Sequence, residues 1–354
     1  MVREEHRWSP VCGPPGRLIR PVRRWPHDPR GPTRGEARGK AWRRSSWGYY
    51  VPADVDESVP EQRILEQSVR APAGGAVTGW AGCRLWGARF FDGLLPDGVT
   101  PLPVPIVTGG PAVRGDERIV VLRDRIRPEE IVVRHGIPCA RELRALFDAM
   151  RFHDLREAVV DMDMMAAAER VSISRMARYA AGHPGRIGVP VVLAALPLAS
   201  EHSRSPNETR MRLVWVLDAG LPPPLVNQSV FDRDGRLLCI ADLLDVEAGV
   251  VGEFDGADHR GARRQTKDAG REDRLREHGL EVFHVTGLDL RHPDRVVRRM
   301  HSARARAMWQ PEAARRWTIQ PPPSWDEAPT LDQLLEHREV MHEVHLQMER
   351  DSLM

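Results

Sequence analysis

A short apolar run that turns acidic constrains this chain more than any other feature of its sequence. The segment GVVGEFDGADH, residues 249–259, begins as a buried strand would and then carries Glu253, Asp255, Asp258 and His259. Side chains two positions apart on a strand point to the same face, so the first two acids share a face. Burying an ionised carboxylate costs several kcal/mol unless a cation or hydrogen-bond donors compensate for the lost water. The chain must therefore supply such partners.

The segments on either side predict an α/β domain. Strand-like runs at 225–231 and 237–244 are joined by the turn DRDGR, which is typical of a hairpin. Helical patterns lie before, between and after the strands. The elements predicted within 203–310 are, in order, a helix at 205–221, strands at 225–231, 237–244 and 249–255, a helix at 261–278, a strand at 281–285 and a helix at 293–309. The predicted order is α-β-β-β-α-β-α.

A second acid lies at the end of the strand before the acidic run. Asp242 directly follows the apolar residues Ile240 and Ala241. If the two strands pair as a hairpin, Asp242 and Glu253 lie side by side near one sheet edge. Converging carboxylate oxygens are the ligands that Mg²⁺ and Mn²⁺ prefer, so we expect a metal site formed by Asp242 and Glu253.

This set of acids matches a known nuclease pattern. A Glu on a helix, an Asp ending one strand and Glu-x-(basic residue) on the next define the PD-(D/E)XK core. Here these positions are Glu208, Asp242 and Glu253, with Asp255 where the pattern has a lysine. Residues 203–300 resemble the restriction-endonuclease-like fold and look most like the very-short-patch-repair-endonuclease-like family. The resemblance implies a metal-dependent DNA endonuclease.

Two further stretches carry the same resemblance. Members of that family bear a Glu-x-Asp-Gly-x-x-His variant, which places His259 as the candidate proton-transfer or water-positioning group. The stretch 268–285 also fits, and the charged helix face of Asp268, Arg271 and Glu272 is expected to point at the site. Lys267 is a candidate replacement for the missing motif lysine.

Several of these residues have simpler interpretations. Glu208 also completes a Ser-x-x-Glu capping box with Ser205. Asp242 could cap a turn, and Asp255 precedes a glycine as turn residues often do. Gln228 is predicted to contact the substrate or only to fill a polar strand edge. Asp268 and Arg271 could simply pair within their helix.

The N-terminal part has a different character. Residues 1–47 hold 12 Lys/Arg and 4 Asp/Glu, a net of +8, so the remainder carries 2 − 8 = −6. Residues 1–44 mix Arg, Pro and Gly without periodicity, so we expect a disordered basic leader, with phosphate contacts to nucleic acid as the alternative. The body at 45–197 is similar to AbiEi-type antitoxins, which implies a cognate toxin as partner. Within it, the acids of DMDMM at 161–165 are predicted to lie on the solvated face of a helix.

The rest of the chain narrows the class of protein. A Pro-rich break at 320–329 precedes a predicted helix that runs to 354. Thr330 and Gln333 are expected to form its capping box, and the helix is expected to pack on the body or on another subunit. The whole chain of 354 residues suits about two domains, and no apolar run is long enough to predict a membrane-spanning helix. Four scattered cysteines and the lack of an apolar leader predict a reducing, cytoplasmic location. Zinc fingers, phosphate-binding glycine loops and Gly-x-Ser-x-Gly hydrolases are excluded.

Two functions from different classes remain. One is a Mg²⁺- or Mn²⁺-dependent DNA endonuclease with an accessory N-terminal domain. The other is a non-catalytic DNA-binding regulator of the antitoxin type that keeps a nuclease fold. The three acids favour the first hypothesis, and Asp255 in place of lysine favours the second.

Overall fold

The chain divides into two compact units. The computed structural model describes residues 9–95, 97–110, 113–256, 262–325 and 328–352, with the side chains of 262–269 and 352 left out. Unit 1 is Met1–Leu196 and unit 2 is Pro197–Met354. Over the described residues the protein is a mixed α/β structure with three sheets and ten α-helices, which confirms the predicted class. Among these helices, none combines the length and apolar composition that a membrane span needs.

Unit 2 is built around one five-stranded sheet. Its elements are α7 (Pro206–Leu213), a π-helical turn (Val214–Asp218), β9 (Leu225–Asp232), β10 (Leu237–Asp245), β11 (Val250–Asp255), α8 (Ala262–Glu277), β12 (Glu281–Thr286), α9 (Pro293–Arg306), β13 (Trp317–Thr318) and α10 (Leu331–Ser352). The strand order is β12-β11-β10-β9-β13. The strands β9, β10 and β11 are antiparallel neighbours, and α8 connects β11 to the parallel β12.

Local signals in the sequence account for the ends of these elements. Asp232 Oδ1 accepts hydrogen bonds from the backbone of Asp234 (2.9 Å) and Arg236 (2.8 Å), which fixes the β9–β10 turn. The capping box of α10 forms as predicted, since Gln333 N donates to Thr330 Oγ1 (3.3 Å) and Thr330 N to Gln333 Oε1 (2.9 Å). The first helix is shorter than predicted, because regular α-helix ends at Leu213 and a π turn follows.

Apolar side chains cover both faces of the sheet. On one face Trp215 stacks on Phe283 with ring centroids 5.9 Å apart, beside buried residues of α9. On the other face Val251 and Leu275 join a second buried cluster. A Cβ at Gly252 would lie 2.5 Å from the Phe283 ring, so glycine permits this close contact on β11. The first half of β11 is thus buried in the core, and this burial positions the acidic second half of the same strand.

Unit 1 contains two sheets and six helices within the described residues. Its elements are β1 (Val22–Arg23), β2 (Trp42–Ser46), β3 (Tyr49–Pro52), α1 (Pro60–Ser68), β4 (Ala76–Val77), α2 (Gly79–Leu85), β5 (Val104–Val107), β6 (Ile119–Leu122), β7 (Ile131–Arg134), β8 (Ile137–Ala140), α3 (Glu142–Met150), α4 (Leu155–Ala167), α5 (Ile173–Ala181) and α6 (Val189–Ala195). The sheets have the strand orders β1-β3-β2 and β6-β5-β4-β8-β7.

Unit 1 corrects two expectations. Residues 9–44, expected to be a disordered leader, contribute β1 and part of β2 to a sheet. Buried Gln62 on α1 binds both the backbone N–H and C=O of Ile19 at 2.9 Å, so the leader is ordered by later residues of the chain. The acids Asp161 and Asp163 on α4 are buried rather than solvated, and Asp161 Oδ2 lies 2.7 Å from His153 Nδ1.

Candidate functional site: a carboxylate cluster on the central strands

Asp242 lies where the β10–β11 ladder stops. The last backbone pair in that direction is Leu243 with Gly252, and the Asp242 carboxylate then accepts a hydrogen bond from Phe254 N at 2.7 Å. Burial raises the pKa of Asp242 well above its ordinary value, and the negative charges of Glu208 and Glu253 raise it further. The Phe254 N–H and Arg271 oppose this rise without cancelling it. Asp242 is therefore a carboxylate with too little positive charge around it.

Glu208 contacts the N-terminal cap of α7 with its backbone and β9 with its side chain. Ser205 Oγ accepts from Glu208 N at 3.3 Å, so the N-terminal cap of α7 is present. The Glu208 carboxylate accepts from Arg204 N at 2.9 Å rather than from the Ser205 N–H that a capping box would use. The same oxygen accepts from Asn227 Nδ2 at 2.8 Å, which ties the start of α7 to β9. The capping box is therefore formed only by the Ser205 side chain, while the Glu208 carboxylate carries charge that acts on Asp242.

Asn227 belongs to the site, although the sequence indicated its neighbour Gln228 instead. The β9–β10 register pairs Gln228 with Ala241 and Val226 with Leu243, which leaves Asn227 opposite Asp242. Its backbone is left-handed, with φ 48, a conformation that Asn tolerates better than most residues. Gln228 instead donates from Nε2 to Ser229 O at 3.1 Å, a local bond that leads away from the acids. An Asn within a strand-like run was the available signal.

Glu253 has a cation of its own. Arg271 on α8 donates from Nη2 to Glu253 Oε1 at 2.9 Å, and the same nitrogen lies 3.5 Å from Ile240 O. Burial acts to lower the pKa of Arg271. The charge of Glu253 and the other neighbours together outweigh burial, so the pKa is raised. The expectation that the charged face of α8 points toward the acids is confirmed for Arg271.

Asp255 contacts a histidine on the neighbouring strand. In the parallel β11–β12 register Asp255 pairs with Thr286, and His284 lies opposite Glu253. His284 Nδ1 lies 3.3 Å from the Asp255 carboxylate, and its Nε2 lies 3.9 Å from Glu272 Oε1. The hydrogen bond to Asp255 is the main cause of a raised pKa at His284. No sequence pattern singled out His284, which becomes visible only through strand pairing.

The carboxylates fit a metal ion in part. Within the described residues, no group of three or more His, Cys, Asp or Glu side chains is arranged to hold one. Among the described residues, the hydrogen bonds reach one oxygen of Glu208 and one of Asp242, which leaves the second oxygen of each carboxylate as a possible ligand. Glu253 is bridged to Arg271, which a metal ion would have to displace. His259 lies outside the described residues, and so do the side chains of Lys267 and Asp268.

Comparison with known proteins adds no relative. No protein-family model matches the chain, and neither curated proteins nor solved structures give a significant match. The function must therefore be argued from the site itself.

Proposed function

We propose that unit 2 is a divalent-metal-dependent nuclease domain of the restriction-endonuclease-like type, which hydrolyses phosphodiester bonds in DNA. The observation that carries the proposal is the convergence of three acids: Asp242 lies opposite Asn227, which donates to Glu208, and Asp242 accepts from the N–H of the residue after Glu253. Burial and the charges of the other two acids raise the pKa of Asp242 accordingly. Like charges close together in a poorly solvated place destabilise each other, and binding a cation relieves the repulsion. The element order of unit 2, with three antiparallel strands and a helical connection to a parallel fourth, supports the same assignment.

Each residue of the cluster then has a task. Asp242 and Glu253 bind Mg²⁺ or Mn²⁺, and Glu208 holds Asn227 and adds negative charge. When bound, the metal supplies a nucleophilic water and stabilises charge on a phosphate oxygen. Arg271, which pairs with Glu253 in this structure, carries a guanidinium that would suit the geometry of a phosphate. Asp255 and His284 form an acid–histidine pair beside the cluster.

Cleavage assays test this proposal. The full chain is incubated with plasmid, single-stranded and mismatched DNA in Mg²⁺, Mn²⁺ or EDTA. We expect cleavage in a metal-containing condition, with its loss in EDTA and in Asp242→Asn and Glu253→Gln. Glu247→Gln is the matched control, because Glu247 follows the same β10 strand but its side chain is 73% exposed. Cleavage that is equal in all variants would refute the assignment of these acids.

A second function is supported by the ion pair at 2.9 Å between Arg271 and Glu253. A guanidinium already compensates one carboxylate, and Asp255 stands where the nuclease motif requires lysine. Both features suit a non-catalytic DNA-binding protein of the antitoxin-like class, in which the cluster is structural. That function predicts DNA binding without cleavage in every metal, and no gain of metal response when Arg271 is replaced by Gln.

A further inference from the structure

The basic N-terminal residues form a pocket in unit 1. It has a volume of about 390 Å³, which is the size of a small-ligand site. Pairing of β1 with β3 places Arg23 against Tyr49 on its wall. Its lining includes Arg20, Arg23, His27, Asp28, Arg30 and Tyr49. We refer to it as the arginine pocket.

The pocket has an excess of positive charge. Arg30 is neutralised by Asp28, with Nε and Nη2 at 3.1 and 3.0 Å from its two carboxylate oxygens. Arg23 donates from Nε to Tyr49 Oη at 3.1 Å and lies over that ring, 5.3 Å from its centroid. Within the described residues, neither Arg20 nor Arg23 has a carboxylate partner. Two guanidinium groups are therefore available to an anion.

The backbone around these arginines is held in place. Gln62, which is buried, binds both backbone groups of Ile19 and so fixes the residue before Arg20. The loop after Arg23 is closed by a hydrogen bond from Trp25 N to Pro32 O at 3.0 Å. A Cβ at Gly31 would lie 1.7 Å from Arg23 O, so the loop passes close over its own start. Pre-organised groups bind with less loss of conformational entropy.

Two exposed tryptophans lie close in sequence to the pocket residues. Trp25 is 56% exposed, two residues after Arg23, and Trp47 is 79% exposed at the β2–β3 turn, two residues before Tyr49. Large exposed aromatic rings close in the chain to arginines without a carboxylate partner among the described residues are the combination that binds unpaired bases and their phosphates. A duplex would offer the phosphates but not the faces of its bases.

We propose that the arginine pocket binds a phosphate of single-stranded nucleic acid, with Trp25 and Trp47 stacking on its bases. The site lies in unit 1 and goes beyond the proposed nuclease function of unit 2, on which it does not depend. Arg20 and Arg23 contact the phosphate oxygens, and Arg30 remains with Asp28. The chemical class of the ligand is an internal phosphodiester flanked by unstacked bases.

The test measures binding of the full chain to a fluorescently labelled single-stranded oligonucleotide in EDTA, which prevents metal-dependent cleavage. Arg20→Gln/Arg23→Gln is compared with Arg123→Gln/Arg178→Gln, which removes the same charge from exposed positions of unit 1 outside the pocket. We expect at least a tenfold loss of affinity in the pocket variant and less than threefold in the control. The slope of log K against log salt should fall by about 0.7 for the lost phosphate contact.

Further arms identify the ligand. Trp25→Ala should weaken single-strand binding about tenfold and duplex binding little, because stacking requires unpaired bases. Inorganic phosphate should compete only weakly. If the double variant lowers the melting temperature, Arg20→Gln alone provides the test, since the hydrogen bond from Arg20 Nη1 to Gly136 O is long, at 3.5 Å. Equal losses in pocket and control variants, or tighter binding to duplex, would overturn the proposal.

Discussion

Both units place carboxylates away from water, but they balance them differently. In unit 1, Asp148 and Arg144 have no exposed side-chain surface. Asp148 accepts from Thr78 Oγ1 at 2.7 Å and Arg144 Nε at 2.8 Å, and Arg151 Nη2 lies 3.0 Å from its other oxygen. In unit 2, Asp242 accepts from one backbone N–H among the described residues, and the charges of Glu208 and Glu253 raise its pKa against the opposing charge of Arg271. Charge that is balanced within the chain serves the fold, whereas an excess of one sign suits a ligand.

The causes of the pKa shifts express the same contrast. Burial raises the pKa of Asp148, but its charged neighbours Arg144 and Arg151 act to lower it. Burial also raises the pKa of Asp242, and there Glu208 and Glu253 add to the rise. The comparison makes opposite predictions for removing the two charges.

The largest effect is expected in unit 1. Asp148→Ala removes the carboxylate that the buried Arg144 contacts at 2.8 Å and leaves it Asp124 at 3.6 Å, which should destabilise the unit by about 3–5 kcal/mol. Denaturant unfolding followed by circular dichroism measures this change. Glu57→Ala is the control, because Glu57 is 70% exposed in its ion pair with Arg43 and should cost less than about 1 kcal/mol. Similar losses in the two variants would show that the buried network is not structural.

Removing the charge of Asp242 should have the opposite sign. Asp242→Asn keeps an oxygen to accept from Phe254 N and removes the repulsion, so the metal-free protein should be more stable by about 1 kcal/mol at pH 7. A raised folded pKa means that the folded protein binds the proton more tightly, so stability falls as pH rises above the unfolded pKa. The gain from Asn should therefore grow with pH and vanish near pH 4, measured by unfolding at several pH values. A loss of stability at neutral pH would contradict the excess of negative charge.

How far the sequence predicts unit 2 is seen from particular residues. Ser205, the DRDGR turn and Gly279 lie within a few residues of the backbone they control. The start of α7, the β9–β10 hairpin and the end of α8 are confirmed to within a few residues. Leu280 N donates back to Leu275 O at 3.0 Å past the left-handed Gly279, which ends α8 as expected. Such signals act locally, so they can be read one segment at a time.

The partners of the charged groups could not be predicted in the same way. Asn227 reaches Glu208 only because its left-handed backbone interrupts the alternation of β9, which no composition rule specifies. Arg271 was expected near the site, but its bond to Glu253 depends on how α8 packs. His284 meets Asp255 only through the pairing of β11 with β12. These contacts join residues distant in the chain, and a single sequence does not encode them as a pattern.

A smaller effect concerns a balanced pair in unit 1. The hydrogen bond to Asp161 raises the pKa of His153 to about 9. Because this folded value exceeds the unfolded one, the stabilisation is complete below about pH 6.5 and is lost as pH rises through 9. The His153 side chain is 38% exposed, so solvent screening limits the effect to about 1 kcal/mol. His153→Gln should flatten the dependence of stability on pH between these two pH values, as measured by thermal unfolding. An unchanged pH dependence would contradict a stabilising His153–Asp161 pair.

The central claim is that the excess of negative charge in unit 2 binds a cation. Its most direct test is the shift in melting temperature on adding Mn²⁺. Wild-type protein and the Glu247→Gln control should rise by several degrees, since an ion that binds only the folded state stabilises it by mass action. Asp242→Asn and Glu253→Gln should respond much less, and Arg271→Gln should respond at lower Mn²⁺ because the competing guanidinium is gone. Equal shifts in all five proteins, or none in any, would contradict the account and leave the cluster as a structural feature of a non-catalytic protein.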